Sequence, residues 1–532
     1  MKNKKETLLI LTILITICII IFNRDKLYEA KYIEPKDTLL AITIDGEIST
    51  TFPTTNMYTG IVECTSGSGK VDWNGTKWIL TTSGITKGST KCNATFITKT
   101  IFKDAILANN EVKTPITTPG KEVSAYALDD APNQKERVDS SDQAKYITYG
   151  TGWEANGNKF NLTGTAVTSD TYANSYSSLV GKYLPHSSLV HAGSNTAGTM
   201  RSTTNLSNVY YVVSATQNSF TYKQLISNKN TTEALLASTE DDYGVSYYFR
   251  GAVKNNYVEF ANKCWRIVRV GGDGSVKLIL HNDNTTKVAN PCDAANNSAS
   301  AAFARYSGTT YKSAFNSNYN DNAYIGFMYG ATGASDYAST HANTNKSTIL
   351  TNLETWYTNN LKTYESVIDD NVWCNDKTNV TDTSYDPWSI TPNGRGYAKN
   401  VTYYGVTHRL VNTNGNAGGT GPSLKCNGEL SKITSKVGLI TADELAYAGY
   451  AIGTGNTTTY LQENATDTYW WSLSPNYFNG SSTYVWGVYG GSGNFGYNYV
   501  NATRGVRPSI SLKSTTNVTG EGTSSTPYII SM

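Results

Sequence analysis

The stretch from Val437 to Leu512 constrains this chain more than any other, because a helix signature and a run of hairpin signatures follow each other there without a gap. Thr441 is followed three residues later by Glu444. A hydroxyl and a carboxylate at that spacing each satisfy a free amide of a first helical turn, and Gly449 can adopt the left-handed conformation that stops the helix. Beyond Tyr469 the apolar residues Trp471, Leu473, Val485, Val488, Val500, Val506, Ile510 and Leu512 fall in short runs. These runs are broken by Asn479-Gly480, Gly490-Gly491 and Gly493-Asn494, dipeptides that supply the positive backbone angles of tight turns. The segment reads as one capped helix followed by antiparallel strands.

A capped helix, a Tyr469-Trp470-Trp471-Ser472-Leu473-Ser474-Pro475 strand, hairpins and a closing Gly505-Val506-Arg507-Pro508 resemble the C-terminal half of formylglycine-generating-enzyme-like domains, a branch of the C-type-lectin-like fold. The resemblance is closer to uncharacterised bacterial surface domains with a Trp-Trp-x-x-Ser-Pro…Gly-Val-Arg-Pro signature, and it covers roughly residues 240 to 515. It implies an α+β C-type-lectin-like domain over 233–532. The oxidase of that superfamily needs cysteine thiolates near its C-terminus to bind copper and capture substrate. No cysteine follows Cys426 here, so oxidase activity and its cofactor are not expected. The sequence also lacks Trp-Asn-Asp and Glu-Pro-Asn sets, which leaves calcium-dependent sugar binding of the usual lectin type without support.

What remains is a scaffold that binds. The last hairpins gather Asn476, Tyr477, Asn479, Tyr484, Trp486, Tyr489, Tyr497 and Tyr499, the candidate ligand-binding residues. Tyr and Trp offer wide, rigid contact area with a polar tip, suited to a sugar face or a protein epitope. Alternation along a strand places about half of such residues in the core, so Trp486 and one of Trp470 and Trp471 are also core candidates. Lectin-like folds also bind through a long loop, which here corresponds to Cys374–Lys432.

Upstream, Lys2, Lys4 and Lys5 precede the uninterrupted apolar run Thr7–Phe22. A basic flank before an apolar run marks a secretion signal or a signal anchor, with the lysines cytoplasmic. Phe22-Asn23-Arg24-Asp25 offers no small-x-small cleavage site, and Thr16-Ile17 before Cys18 does not suit a lipoprotein signal. We read residues 1–30 as a cytoplasmic tip and a single transmembrane helix in the plasma membrane, with the bulk extracellular; a cleaved signal peptide is the alternative.

Export fits the cysteines. Without Cys18, six remain as three local couples, and pairing neighbours gives Cys64–Cys92, Cys264–Cys292 and Cys374–Cys426. No C-x-x-C occurs, so neither a zinc site nor thioredoxin-like chemistry is expected, and no metal or cofactor is called for. A net charge of +2 over 532 residues gives no reason to expect nucleic acid as a partner.

Short alternating runs over 37–108, with a turn at Asp45-Gly46 and a hairpin across Trp73–Trp78, predict an Ig-like β-sandwich serving as a spacer. Pro115, Pro119, Pro132 and the charged run 133–137 predict a linker over 109–143. Residues 144–232 form a β-rich module of unassigned fold, with a hairpin at Asn156-Gly157, a strand at Val209–Val213 and a short helix over Ser175–Leu184.

In the C-terminal domain, Cys264–Val270 and Val276–Leu280 alternate apolar residues with Arg266, Arg269 and Lys277, which predicts one core face and one wet face. Ser347 caps a helix whose stripe includes Ile349, Leu353 and Trp356. The histidines 186, 191, 281, 341 and 408 stand without a companion acid or nucleophile, and no hydrolase, zincin, P-loop or dinucleotide motif appears. Asp443 and Glu444 read as capping residues. The sequence therefore predicts a membrane-anchored, multidomain surface protein, not an enzyme, that takes an extracellular glycan or protein ligand. A structural stalk and a cell-envelope enzyme are the alternatives.

Overall fold

The computed structural model describes residues 39–115, 118–120, 233–307, 310–390 and 394–531, with a set of short strands and one turn between 121 and 232. The apolar segment Thr7–Phe22 lies outside the described residues, and no described helix is long and apolar enough to cross a membrane. The described chain is mostly β-sheet with few helices. It divides into two units, Met1–Ala105 with Thr515–Gly520 and Ile529–Ser531, and Ile106–Ser514 with Glu521–Tyr528. Residues 515–520 and 529–531, assigned above to the C-terminal domain, thus belong with the first unit: strand Asn517–Thr519 pairs with Thr100–Ile101.

In the first unit the Asp45-Gly46 turn takes positive φ at both residues, 50° and 88°, and joins β1 (Leu39–Ile44) to β2 (Glu47–Ser49). Strands β3 (Tyr58–Cys64) and β6 (Lys91–Thr98) complete a sheet ordered β2-β1-β6-β3, in which β1 and β6 run parallel. Between them, β4 (Ser68–Trp73) and β5 (Trp78–Ser83) form the expected hairpin, whose turn is tied by Asn74 Oδ1 accepting from the Thr76 and Lys77 amides. The hairpin lays Val71 and Trp78 over Leu40, Ile42, Ala94 and Phe96. Each large apolar side chain so buried stabilises the unit by about 1.5–3 kcal/mol. Cys64 and Cys92 are opposite residues on β3 and β6, so their disulfide fixes the register within one sheet. A helix that alternation does not announce, α1 (Phe102–Asn109), follows.

The range read as a linker carries two strands, β7 (Ala125–Leu128) and β8 (Asn133–Glu136). Its prolines stand outside both strands, and the ladder partner, β13 (Ser219–Asn228), comes from some ninety positions downstream, beyond the reach of a local reading. Strands β9 (Trp153–Asn156) and β10 (Lys159–Leu162) form the expected hairpin, and β12 (Val209–Ala215) covers the expected strand. Strand β11 (Tyr183–Pro185) replaces the end of the helix expected over Ser175–Leu184; residues 175–179 lie outside the described residues. The sheet order is β10-β9-β11-β12-β13-β7, with β8 also pairing β13.

The C-terminal part of this unit holds β14 (Ala234–Asp241), β15 (Gly244–Gly251), β16 (Tyr257–Phe260), β17 (Lys263–Val270) and β18 (Val276–Asn282). β17 pairs with β15 and β16 along one edge and with β18 along the other. The last strand of the group, β25 (Ser509–Leu512), pairs with β18. Helix α2 (Thr348–Asn360) starts at Ser347, whose Oγ accepts from the Leu350 amide, and buries Ile349, Leu353 and Trp356; Trp356 meets Trp265 edge-on at 6.1 Å.

The predicted wet face of β17 and β18 does not exist: Arg266, Arg269 and Lys277 are covered, and both strands are buried on both faces. Their charges are matched by carboxylates from other elements, as described below. A second sheet is built on β22 (Trp470–Asn479), with β20 (Val401–Tyr403) and β23 (Thr483–Val488) beside it and β24 (Phe495–Tyr499) beyond β23. Pro475 sits where the β22–β23 register shifts, a position that does not require its missing amide. Strand β19 (Asn371–Cys374) pairs with β21 (Lys432–Ser435), and disulfides Cys264–Cys292 and Cys374–Cys426 both form within this unit.

Candidate functional site

Along β23 and β24 the residues 484 and 486, and 495, 497 and 499, point to the same side, because Tyr484 pairs with Tyr499 and Trp486 with Tyr497. Tyr477 of β22 pairs with Tyr484 and joins them. The result is one aromatic face, graded from core to solvent. At its inner end Trp486 stacks on Phe495 at 4.7 Å, and neither is accessible. In the middle Tyr477 stacks on Tyr484 at 4.3 Å with both nearly covered. At the outer end Tyr499 is 47% exposed, and Tyr497 is partly so.

Trp388, from the loop closed by Cys374–Cys426, packs over this face at 4.7 Å from Tyr477 and 4.9 Å from Tyr497. It also keeps part of its surface open. Tyr385 and Tyr403 complete the support, with Tyr403 Oη donating to Asp386 at 2.6 Å. Burial raises the phenol pKa values of Tyr477, Tyr484, Tyr497 and Tyr403, so these rings are neutral donors and acceptors at neutral pH.

Of the eight candidates, Tyr497 and Tyr499 keep open surface on this face, Tyr489 keeps it elsewhere, and the other five are covered or tied up in turns. Trp486 and Asn476 are fully buried; Asn476 Oδ1 accepts from Thr407 at 3.3 Å. Tyr477 and Tyr484 are the floor on which the outer rings rest. Asn479 is spent on the turn, its Oδ1 accepting from the Ser481 and Ser482 amides. Tyr489 is 45% exposed but lies against Tyr469 beside Gly496, on the opposite side of the strand. The alternation that places 484 and 486 together also decides that one end of the row must be core. Trp388 and Tyr403 were missed, because only the tertiary fold carries their loop and strand to this sheet.

No family model, curated protein or solved structure matches this chain.

A second site gathers around the N-terminus of α4 (Ala442–Ala448). The capping box is formed as expected: Thr441 Oγ1 accepts from the Glu444 amide and Glu444 Oε2 from the Thr441 amide. The acids have further partners that one dimension conceals. Glu444 Oε1 accepts from Lys277 Nζ at 2.7 Å and Arg269 Nε at 3.0 Å, and Arg269 also reaches Asp241 at 2.9 Å. Arg409, on α3 (Gly405–Leu410), donates from Nε and Nη2 to both oxygens of Asp443 at 2.8 Å and from Nη1 to Asp376 at 2.7 Å.

These groups line a cleft of about 280 Å3, which also includes both cysteines of the Cys374–Cys426 bridge and, at its rim, Tyr243. Burial lowers the Lys277 ammonium to about 8 against the attraction of Glu444. Burial alone would raise the Glu444 carboxyl, but Lys277 and Arg269 outweigh it and hold the group below the ordinary value. Among the described residues no group of three or more His, Cys, Asp or Glu is arranged to hold a metal ion. His281 and His341 are buried, and burial pushes both well below the usual imidazole value, so each is neutral packing; His186 and His191 lie outside the described residues.

Proposed function

We propose that this chain is a surface-displayed binding protein, held at the membrane by its N-terminal apolar segment, whose C-terminal α+β domain of C-type-lectin-like type presents an aromatic platform to an extracellular glycan or protein. The carrying observation is the outer end of the aromatic face, where Trp388, Tyr497 and Tyr499 keep open surface on a floor of fixed tyrosines. Such rings lose little rotamer freedom on binding, and a fixed floor removes most of the remaining ordering cost. Three disulfides support an oxidising, extracytoplasmic setting.

The ion-lined cleft favours an envelope enzyme as a second reading, since convergent titratable groups accompany acid–base chemistry. Against it, Glu444 already accepts two bonds on each oxygen, from Arg269, Lys277 and the Thr441 amide, and a general base needs a free lone pair aimed at substrate. Glycan and host-protein arrays probed with the oxidised protein, beside a Trp388→Ala/Tyr499→Ala variant, test the platform. Binding by the wild type that disappears in a cooperatively melting variant supports it. Binding that survives in the variant removes the platform as the recognition surface.

A further inference from the structure

The cleft at the α4 N-terminus has a wall chemistry unlike that of the aromatic face, and the two share no residue. Its carboxylates and cations are equal in number, five of each. The innermost are already locked to each other: Arg409 to Asp443 and Asp376, Arg269 to Asp241 and Glu444, and Lys277 to Glu444. A free anion entering here meets cations that are neutralised and carboxylates that repel it, and a free cation meets the converse. Net charge on a ligand therefore gains nothing.

Hydrogen-bonding capacity does remain. A guanidinium has five N–H groups. Arg409 spends three on its two carboxylates, and the Nη2 of Arg269 bonds to nothing among the described residues. Asp376 accepts one bond on each oxygen, and each has a further lone pair. Donors and acceptors thus stand together among lining side chains that are held by their own ion pairs. A hydroxyl, which donates and accepts at once, satisfies both kinds together. At the rim Tyr243 is 61% exposed, offering a ring face to an apolar C–H surface. The cleft volume stands at the small end for small-molecule sites, and the Cys374–Cys426 bridge pins one wall.

We propose that this cleft is a binding site for a neutral, polyhydroxylated small molecule of the pyranose class. It does not rest on the aromatic platform. The test uses the full oxidised chain and four probes: D-glucose and N-acetyl-D-glucosamine as neutral sugars, D-glucuronate and D-glucosamine as their charged counterparts. Saturation-transfer NMR and the shift of the melting temperature are read for each. The expected result is binding of at least one neutral sugar, weaker binding of its charged counterpart, and a loss of roughly 2- to 10-fold in Tyr243→Ala, the scale of one ring contact. Tyr243→Phe, which keeps the ring, retains binding. Absence of neutral-sugar binding overturns the proposal, as does tighter binding of a charged sugar. Binding that ignores Tyr243→Ala and is lost in Trp388→Ala/Tyr499→Ala also overturns it.

Discussion

Replacing Glu444 with Gln keeps the shape of the side chain and removes its charge. The carboxylate is 3% exposed and takes Lys277 Nζ at 2.7 and 2.9 Å, Arg269 Nε at 3.0 Å and the Thr441 amide at 2.8 Å. Without it two buried cations lose a counter-charge, although Arg269 retains Asp241. Removing one partner of a buried ion pair costs about 3–5 kcal/mol. For a unit of about 400 residues that lowers its melting temperature by about 3–6 °C, read by tryptophan fluorescence in the oxidised protein. Lys277→Met in the same chain removes one of the stranded cations, so the double variant recovers about 0.5–3 kcal/mol relative to the sum of the single losses.

The pH dependence has a definite sign. The folded carboxyl titrates below its ordinary value of 4.5, so its stabilisation is present above that value and is lost as pH falls through the folded one. The acid limb of stability is therefore steeper in the wild type than in Glu444→Gln. A Glu444→Gln melting temperature within 2 °C or so of the wild type would refute this reasoning, because it would mean the cations are solvated after all.

Other outcomes follow from the same structure. Replacing Cys374 and Cys426 with Ser opens a loop spanning 52 positions and costs about 4 kcal/mol by chain entropy, so the melting transition falls and Trp388 emission shifts to the red. The raised tyrosine pKa values stabilise the fold fully below the unfolded value of 10, and this stability is lost as pH rises further. Absorbance at alkaline pH should thus show Tyr403, Tyr477 and Tyr484 ionising together with unfolding; gradual ionisation of all tyrosines before unfolding would contradict their burial. Gly487→Ala places a methyl carbon 2.4 Å from the Trp470 carbonyl oxygen and forces β22 and β23 apart. A loss of about 1–3 kcal/mol in denaturant titration is expected.

Elements specified by neighbouring residues were legible. Asp45-Gly46, Trp73–Trp78, Ser347, the Thr441–Glu444 box and the three local cysteine couples each carry their signal within a few residues or in simple spacing. Elements specified by distant partners were not. Alternation of Arg266, Arg269 and Lys277 has the same period whether water or a layer of carboxylates covers that face. The choice was made mainly by Glu444 and Glu463, 167 to 197 positions along the chain from these cations, with Asp241 28 positions from Arg269. Strands β7 and β8 lay hidden in a proline-rich stretch for the same reason. At the aromatic face the row of tyrosines was visible, but its gradient from Trp486 to Tyr499 depends on which end abuts the core.

Recognition is proposed at the outer end of that gradient. The direct measurement is a titration of the strongest array ligand against the wild type, Trp388→Ala and Tyr499→Ala, with melting temperatures recorded alongside. Tyr499 is 47% exposed and meets Tyr484 at 4.5 Å, so its loss should move stability by no more than about 1.5 kcal/mol. An affinity loss of about tenfold or more is expected for each variant, the range of an interfacial aromatic anchor. Undiminished affinity in both, with intact melting, would contradict it.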